Sequence, residues 1–191
     1  MTTQRKSRKK ADHRTRVGKE RSARTETRIL EAALGVFAEL GPDAPKIDDF
    51  VAAAGISRGT FYNYFESVEE LLTAASLWTT REIIETIDRA LEGIDDPALR
   101  VAVGLRLFLA KAQNEPPWCG FVARVWKLGG LERPTRDLAE GLRRRVFHAP
   151  SAEAAQDVLL GSLRQALSRI YSERTTSSYG AEVTELCLQA L

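Results

Sequence analysis

Residues 46–70 read KIDDFVAAAGISRGTFYNYFESVEE, and their spacing decides the architecture of the whole chain. Ile47, Phe50, Val51 and Ala54 recur at i, i+3, i+4 and i+7, one face of a short helix. Gly55 suits the left-handed turn that ends such a helix, Ile56 plugs the junction, and Ser57 is an N-cap for the next one. Ala52, Ala53 and Ala54 are small enough for two helices to cross closely. A tight turn, small crossing residues and a second helix that buries Phe61 and Phe65 are the requirements of a helix-turn-helix. With Phe61 turned inward, 100° per residue sends Gly59, Tyr62 and Asn63 to the opposite side, flanked by Arg58 and Thr60. Arg58 suits a guanine or a phosphate, Tyr62 and Asn63 suit base edges, and Gly59 keeps no side chain between backbone and groove. Any one of these residues alone would read as ordinary solvated helix surface. Together, an exposed glycine and two tyrosines on a well-capped helix point to DNA.

Upstream, Thr25 is suited to cap a helix in which Ile29, Leu30, Ala33, Leu34, Phe37 and Leu40 follow at helical spacing, until Gly41-Pro42 stops it. Downstream, Ser67 and Glu70 form an S-x-x-E capping box at the start of a long helix. Six helices are expected from there: near 68–92, 97–114, 118–129, 134–147, 151–173 and 178–190. Asp96-Pro97, Pro116-Pro117, Gly129-Gly130, Ala149-Pro150 and Thr175 to Ser178 divide them. No strand alternation and no internal repeat are visible. The fold class is all-α, with about nine helices: an N-terminal three-helix helix-turn-helix unit at 25–70, then a helical ligand-binding and dimerisation domain at 71–191.

Residues 1–28 hold 11 Lys and Arg against 3 Asp and Glu, a net +8, while the rest of the chain holds 17 against 23, a net −6. Residues 1–24 carry almost no large apolar side chains and read as a flexible basic arm on an acidic body, a split suited to approaching a polyanion. A solvated tail that binds nothing would have the same composition. No apolar run reaches the roughly 18 residues of a membrane span and no signal-peptide core follows the basic segment, so a cytoplasmic protein is expected. Cys119 and Cys187 lie far apart, outside any CxxC or Cys/His spacing, and read as free buried thiols. His13 and His148 are isolated, so neither metal nor cofactor is expected.

The run AAGISRGTFYNYFES followed by EEL resembles the recognition region of the TetR family, whose typical form is AGVS-x-GT-[LF]-Y-x-[HY]-F-x-S-K-E-x-L, and RILEAALGVFAELG precedes it at the right distance. The similarity is good over residues 25–75; beyond them it rests on length and helix pattern. It implies a homodimeric regulator, a repressor more often than an activator, that leaves or engages palindromic operator DNA when a small molecule binds the C-terminal domain. The DNA-contacting positions it implies are Lys46, Ser57, Arg58, Gly59, Thr60, Tyr62, Asn63 and Tyr64, the last on phosphate. Two departures stand out. Lys46 replaces a usual Thr, and Val68 replaces a usual Lys that reaches phosphate. Amides at the start of the fourth helix, or the basic arm, are the expected substitutes.

The C-terminal half has character but no motif. Residues 98–110, ALRVAVGLRLFLA, are apolar nearly all round and should run through the middle of a bundle. Trp78, Phe108, Trp118, Phe121, Arg124 and Phe147 are the candidate ligand-binding residues, with Trp126, Gln113, Cys119 and His148 nearby in sequence; plain core filling is the competing reading for each aromatic. Val158, Leu159, Leu163, Leu167 and Ile170, with small Gly161 and Ser162, suit a helix packed on its twin, joined by a last helix bearing Ala181, Val183, Leu186, Cys187 and Ala190. No nucleophile motif, phosphate loop or dinucleotide fingerprint is present, so an enzyme is not expected. The competing functions are a non-specific, architectural nucleic-acid binder built on the arm, and a regulator that answers to a protein partner.

Overall fold

The computed structural model describes residues 2–125, 132–173 and 175–191, and the side chains of 17–125, 134–173 and 175–191. Among them are nine helices: α1 (Thr2–Leu40), α2 (Ile47–Ala54), α3 (Arg58–Tyr62), α4 (Val68–Ala90), α5 (Pro97–Asn114), α6 (Pro116–Val125), α7 (Glu132–Arg143), α8 (Ala152–Ser172) and α9 (Tyr179–Gln189). None of the described helices is long and apolar enough to cross a membrane.

The expected divisions hold nearly everywhere, and the exceptions have local causes. Helix α1 does not begin at Thr25. It is continuous from Thr2, so the segment 1–24 expected as a flexible arm is helical over its described length. Lys, Arg, Gln, Glu and Ala, all strong helix formers, make up most of the segment, Gly18 is its one glycine and it holds no proline, and the Thr25 hydroxyl donates back to the Arg21 carbonyl at 3.0 Å instead of capping. Helix α7 stops at Arg143 rather than running to 147. Arg145 takes φ 58°, and the amides of Val146 and Phe147 both fold back onto the Gly141 carbonyl. The α6 tail expected over 126–129, with Trp126, lies outside the described residues.

Two packed regions share one continuous core. In the first, Phe37 of α1, Phe50 of α2 and Phe61 of α3 are each fully buried, with ring centroids 5.0 Å apart for Phe37 and Phe50 and 6.5 Å for Phe50 and Phe61. Leu71, also fully buried, ties the start of α4 into the same core. At the helix crossing Ala54 is buried, whereas Ala52 and Ala53 face solvent, so one of the three expected small residues lies at the contact. In the second region α5 is central as its composition predicts, packed by α4, α6, α7, α8 and α9. The α8 stripe turns out to face inward: Leu159, Leu163 and Leu167 are buried in the chain's own core, and Val158 is 48% exposed. On α9, Cys187 is likewise buried and Leu186 is 65% exposed. A leucine row at helical spacing marks a buried face without saying whether the cover comes from the same chain.

Candidate nucleic-acid interface and effector cavity

The turn between α2 and α3 is built as its residues demand. Gly55 sits at φ 60°, ψ 43°, and its amide closes the end of α2. The Asp49 carboxylate accepts the Lys46 amide at 2.7 Å at the other end of α2. The Ser57 hydroxyl accepts the Thr60 amide at 3.0 Å and shares a 2.8 Å hydrogen bond with the Thr60 hydroxyl. Two of the expected DNA-facing hydroxyls are therefore engaged with each other, which fixes the first turn of α3.

Buried Phe61 turns the rest of the short helix outward. Arg58, Gly59, Tyr62 and Asn63 are all exposed, and the Tyr62 ring, 51% exposed, meets Phe61 edge-on at 5.8 Å. Lys46 is exposed at the start of α2. Tyr64 is half-buried, and the Ser22 hydroxyl of α1 donates to its phenolic oxygen at 3.2 Å. That contact brings the exposed cations Lys19, Arg21 and Arg24 to the end of α3. Arg58 Nε lies 3.5 Å from Asp48 Oδ1 of α2, with both side chains in solvent. Nothing in the sequence pattern singles out this partner.

A phosphate at the N-terminus of α4, which the sequence allows, would meet two carboxylates there. Ser67 takes the Glu70 amide at 3.1 Å, and the Glu70 carboxylate takes the Glu66 amide at 2.6 Å. Hydrogen bonds from its own amide and from Ser67 hold the Glu69 carboxyl below the usual carboxylate range. Two carboxylates in this turn already use the dipole that an anion would need.

A cavity of about 110 Å³ opens between α4, α5, α7 and α8. Ile83, Ile84, Ile87, Leu91, Val101, Leu105, Phe108, Leu138, Leu159, Leu160 and Leu163 give it apolar walls, and its polar groups are Thr80, Asp88, Arg100 and Asp137. Arg100 Nε donates to Asp137 Oδ1 at 3.0 Å and Arg100 Nη1 to the Ile94 carbonyl at 2.9 Å. Of the six ligand-binding candidates, Phe108 alone lines this space. Trp118 stands behind Phe108, edge-on at 5.2 Å, with Lys111 Nζ 5.5 Å from its ring centre. Phe121 packs on Phe37 at the junction with the N-terminal helices. Trp78 lies on the side of α4 away from Ile87, Arg124 is exposed, and Phe147 covers Gly141 at the end of α7. Sequence reasoning missed the polar lining residues Asp88, Arg100 and Asp137.

Neither cysteine is poised for reaction. Burial pushes the Cys119 thiol up to about 11, and its Sγ donates to the Leu167 carbonyl. Burial also raises Cys187, with a smaller opposing effect from a hydrogen bond to Ser162. Both are free, buried thiols, as expected.

Residues 29–75 match the model of the family described as bacterial regulatory proteins, tetR family. The chain is 34% identical over 89 residues to the HTH-type transcriptional regulator Rv1255c of Mycobacterium tuberculosis, covering 47% of this chain and 44% of that protein. It is 32% identical over 127 residues to the HTH-type transcriptional regulator YfiR of Bacillus subtilis, covering 66% of this chain and 50% of the other. The chain thus spans about half the length of the curated relatives it matches. Among solved structures it is similar to RolR in complex with resorcinol, at 26% identity and a TM-score of 0.61 over 90% of this chain and 89% of that one. With a recognition helix of this form and a matching family model, residues 29–75 form a DNA-binding domain of the TetR family of bacterial regulatory proteins, in a chain similar over most of its length to RolR.

Proposed function

We propose that the chain is a sequence-specific, homodimeric DNA-binding transcriptional regulator, a repressor that leaves a palindromic operator when a small apolar or aromatic molecule enters the cavity beside α5. The observation that carries the DNA-binding part is the outward face of α3. Arg58, Gly59, Tyr62 and Asn63 are exposed together while fully buried Phe61 anchors the helix. Lys46 and Tyr64 flank that face as backbone contacts, and Ser57 and Thr60 hold its first turn. A major-groove reader needs donors and acceptors on a rigid, narrow element, and a five-residue helix locked by a serine cap and a phenylalanine is one. The proposed units are a basic segment over 1–24, a DNA-binding unit over 25–70 and a sensing and dimerisation unit over 71–191.

Three further observations support the regulatory part. The cavity is apolar with a few convergent polar groups, the usual make-up of a small-molecule site. RolR, similar to this chain along most of its length, was solved with resorcinol bound. The outer faces of α8 and α9 leave Val158 and Leu186 in solvent, as a surface meeting its twin would. Two recognition helices in a dimer would read half-sites about one helical turn apart, roughly 34 to 36 Å.

The test is selection of bound duplexes from a randomised library, followed by footprinting. A single enriched palindrome, protected on two half-sites by a dimer, is the expected result. Uniform protection would favour the non-specific binder, and full-affinity binding by a monomer in light scattering would overturn the dimer.

A further inference from the structure

The chemistry of the effector follows from the way the Arg100–Asp137 ion pair of the cavity is arranged, an inference that rests on reading the cavity as the effector site. Arg100 and Asp137 both line the space, and their side chains are only 15% and 8% exposed. They already neutralise each other through the 3.0 Å bond from Nε to Oδ1, and the Ile94 carbonyl holds a second guanidinium donor. A guanidinium has five N–H donors and an ionised carboxylate about four lone-pair sites, so donors and acceptors remain next to one another on one wall.

That arrangement discriminates between ligand head groups. A carboxylate would compete with Asp137 for Arg100, and the loser would give up a hydrogen-bonded cation in a largely buried place; for Asp137 only the exposed Arg136, with Nε 4.0 Å away, would remain. A cationic group would compete for Asp137 in the same way. A hydroxyl both accepts and donates, so it bridges Arg100 and Asp137 while leaving their bond intact. Elsewhere in the lining, Ile83, Leu105, Phe108 and Leu163 offer only apolar contact. The space, about 110 Å³, is of the order of the roughly 150 Å³ that admits one benzene in an apolar protein cavity. A single ring would fill it, and a long acyl chain would extend beyond it.

We propose that the cavity recognises a neutral, single-ring molecule bearing a hydroxyl group, the hydroxyl lodged against the Arg100–Asp137 pair and the ring among the aliphatic side chains of α4, α5 and α8. Asp88 and Thr80 then offer a second polar contact to a doubly substituted ring.

Isothermal titration of the full chain at pH 7 with phenol, toluene, benzoate and decanoate tests this without any variant. Phenol should bind about tenfold more tightly than toluene, the worth of one well-placed hydrogen bond, and more tightly still than benzoate. Asp137→Asn, checked for an unchanged helical spectrum, should shrink the phenol-to-toluene ratio, and Leu105→Trp should abolish binding of every probe by filling the space. Benzoate binding as tightly as phenol would overturn the hydroxyl assignment. Decanoate as the tightest probe would overturn the single-ring size. In either case loss of that binding in Leu105→Trp would leave the cavity standing as the effector site. If none of the four probes binds, the proposed ligand class falls; if the probes bind the wild type and Leu105→Trp equally, the cavity reading falls instead.

Discussion

The Tyr171 hydroxyl of α8 donates to the Ala38 carbonyl of α1 at 2.9 Å, a bond between residues 133 positions apart that joins the helical body to the helix carrying the DNA-binding unit. Gly120 of α6 makes this approach possible. A Cβ at that position would lie 2.4 Å from the Tyr171 ring and 2.7 Å from the Ala38 Cβ. Helix α8 also carries Leu159 and Leu163 of the cavity wall, so the helix that borders the cavity is the one that grips α1.

Gly120→Ala should therefore be destabilising through overpacking, by about 1 to 3 kcal/mol, because neither a tyrosine ring wedged between helices nor a backbone-fixed Ala38 Cβ yields easily. Thermal denaturation should show a melting point lower by several degrees, and adding Tyr171→Ala to Gly120→Ala should cost less than the two single changes added together. A melting point equal to wild type in Gly120→Ala would mean that the three helices are not packed this closely.

Tyr171→Phe isolates the hydrogen bond itself. It keeps the ring against Gly120 and removes the donor to Ala38. If α8 transmits the state of the cavity to α1 through this bond, a cavity-binding molecule should change operator affinity less in Tyr171→Phe than in wild type, while binding the cavity equally well. Equal responses in the two proteins would exclude this route.

At the recognition helix, replacing Tyr62 or Asn63 by Ala should cost on the order of 1 to 3 kcal/mol in operator binding and relax preference at one base pair for each true base contact. Gel-shift titrations against the selected site and its single-base variants would measure both effects. Wild-type behaviour of both alanine variants would remove these residues from base readout.

Asp48 lies beside Arg58, where its carboxylate would oppose a bound duplex. Their exposed pair contributes little to folding, so Asp48→Ala should melt like wild type. Its effect should appear on DNA: removing a carboxylate from a face that meets phosphates should strengthen binding to random duplex and reduce the ratio of operator to random affinity. An unchanged ratio would show that Asp48 neither restrains Arg58 nor repels the backbone.

Much of the fold is legible in the sequence because local rules and tertiary packing agree. Gly55, Ser57 and Phe61 each have one dominant physical role, and the structure gives each that role. Caps and prolines likewise set most helix ends. What is not legible depends on which neighbour covers a face. Leu159, Leu163 and Leu167 look the same whether the cover is α5 or a second protomer, and the large rings of Trp118 and Phe121 read as ligand contacts until their neighbours are known. Arg100 and Arg106 both interrupt the apolar run of α5, yet Arg106 is exposed while Arg100 meets Asp137. No spacing rule separates them, because the difference is the position of α7. The start of α1 is misread for another reason: low hydrophobicity argues for disorder, whereas intrinsic helix propensity with few interruptions favours a helix continued from a packed one.

The basic end of α1 leads to the last prediction. Beyond Ser22 the helix continues for about 30 Å at 1.5 Å per residue, and the contact of Ser22 with Tyr64 anchors its near end at the recognition unit. Val68 leaves the start of α4 without the lysine found there in the family pattern, and the carboxylates of Glu69 and Glu70 occupy that turn. In the proposed complex the cations available to phosphate are then Lys46, Arg58 where it does not read a base, and those of α1. Deleting residues 2–20 removes eight of the eleven Lys and Arg within the first 28 residues. Each phosphate that the shortened helix no longer neutralises should flatten the plot of log affinity against log salt by about 0.9, because fewer condensed counterions are released. The truncated protein should bind all duplexes more weakly, with a shallower salt dependence, while keeping its ratio of operator to random affinity. A slope and affinity equal to wild type would show that this part of α1 lies off the DNA, and the charge absent at Val68 would then have no substitute in the N-terminal segment.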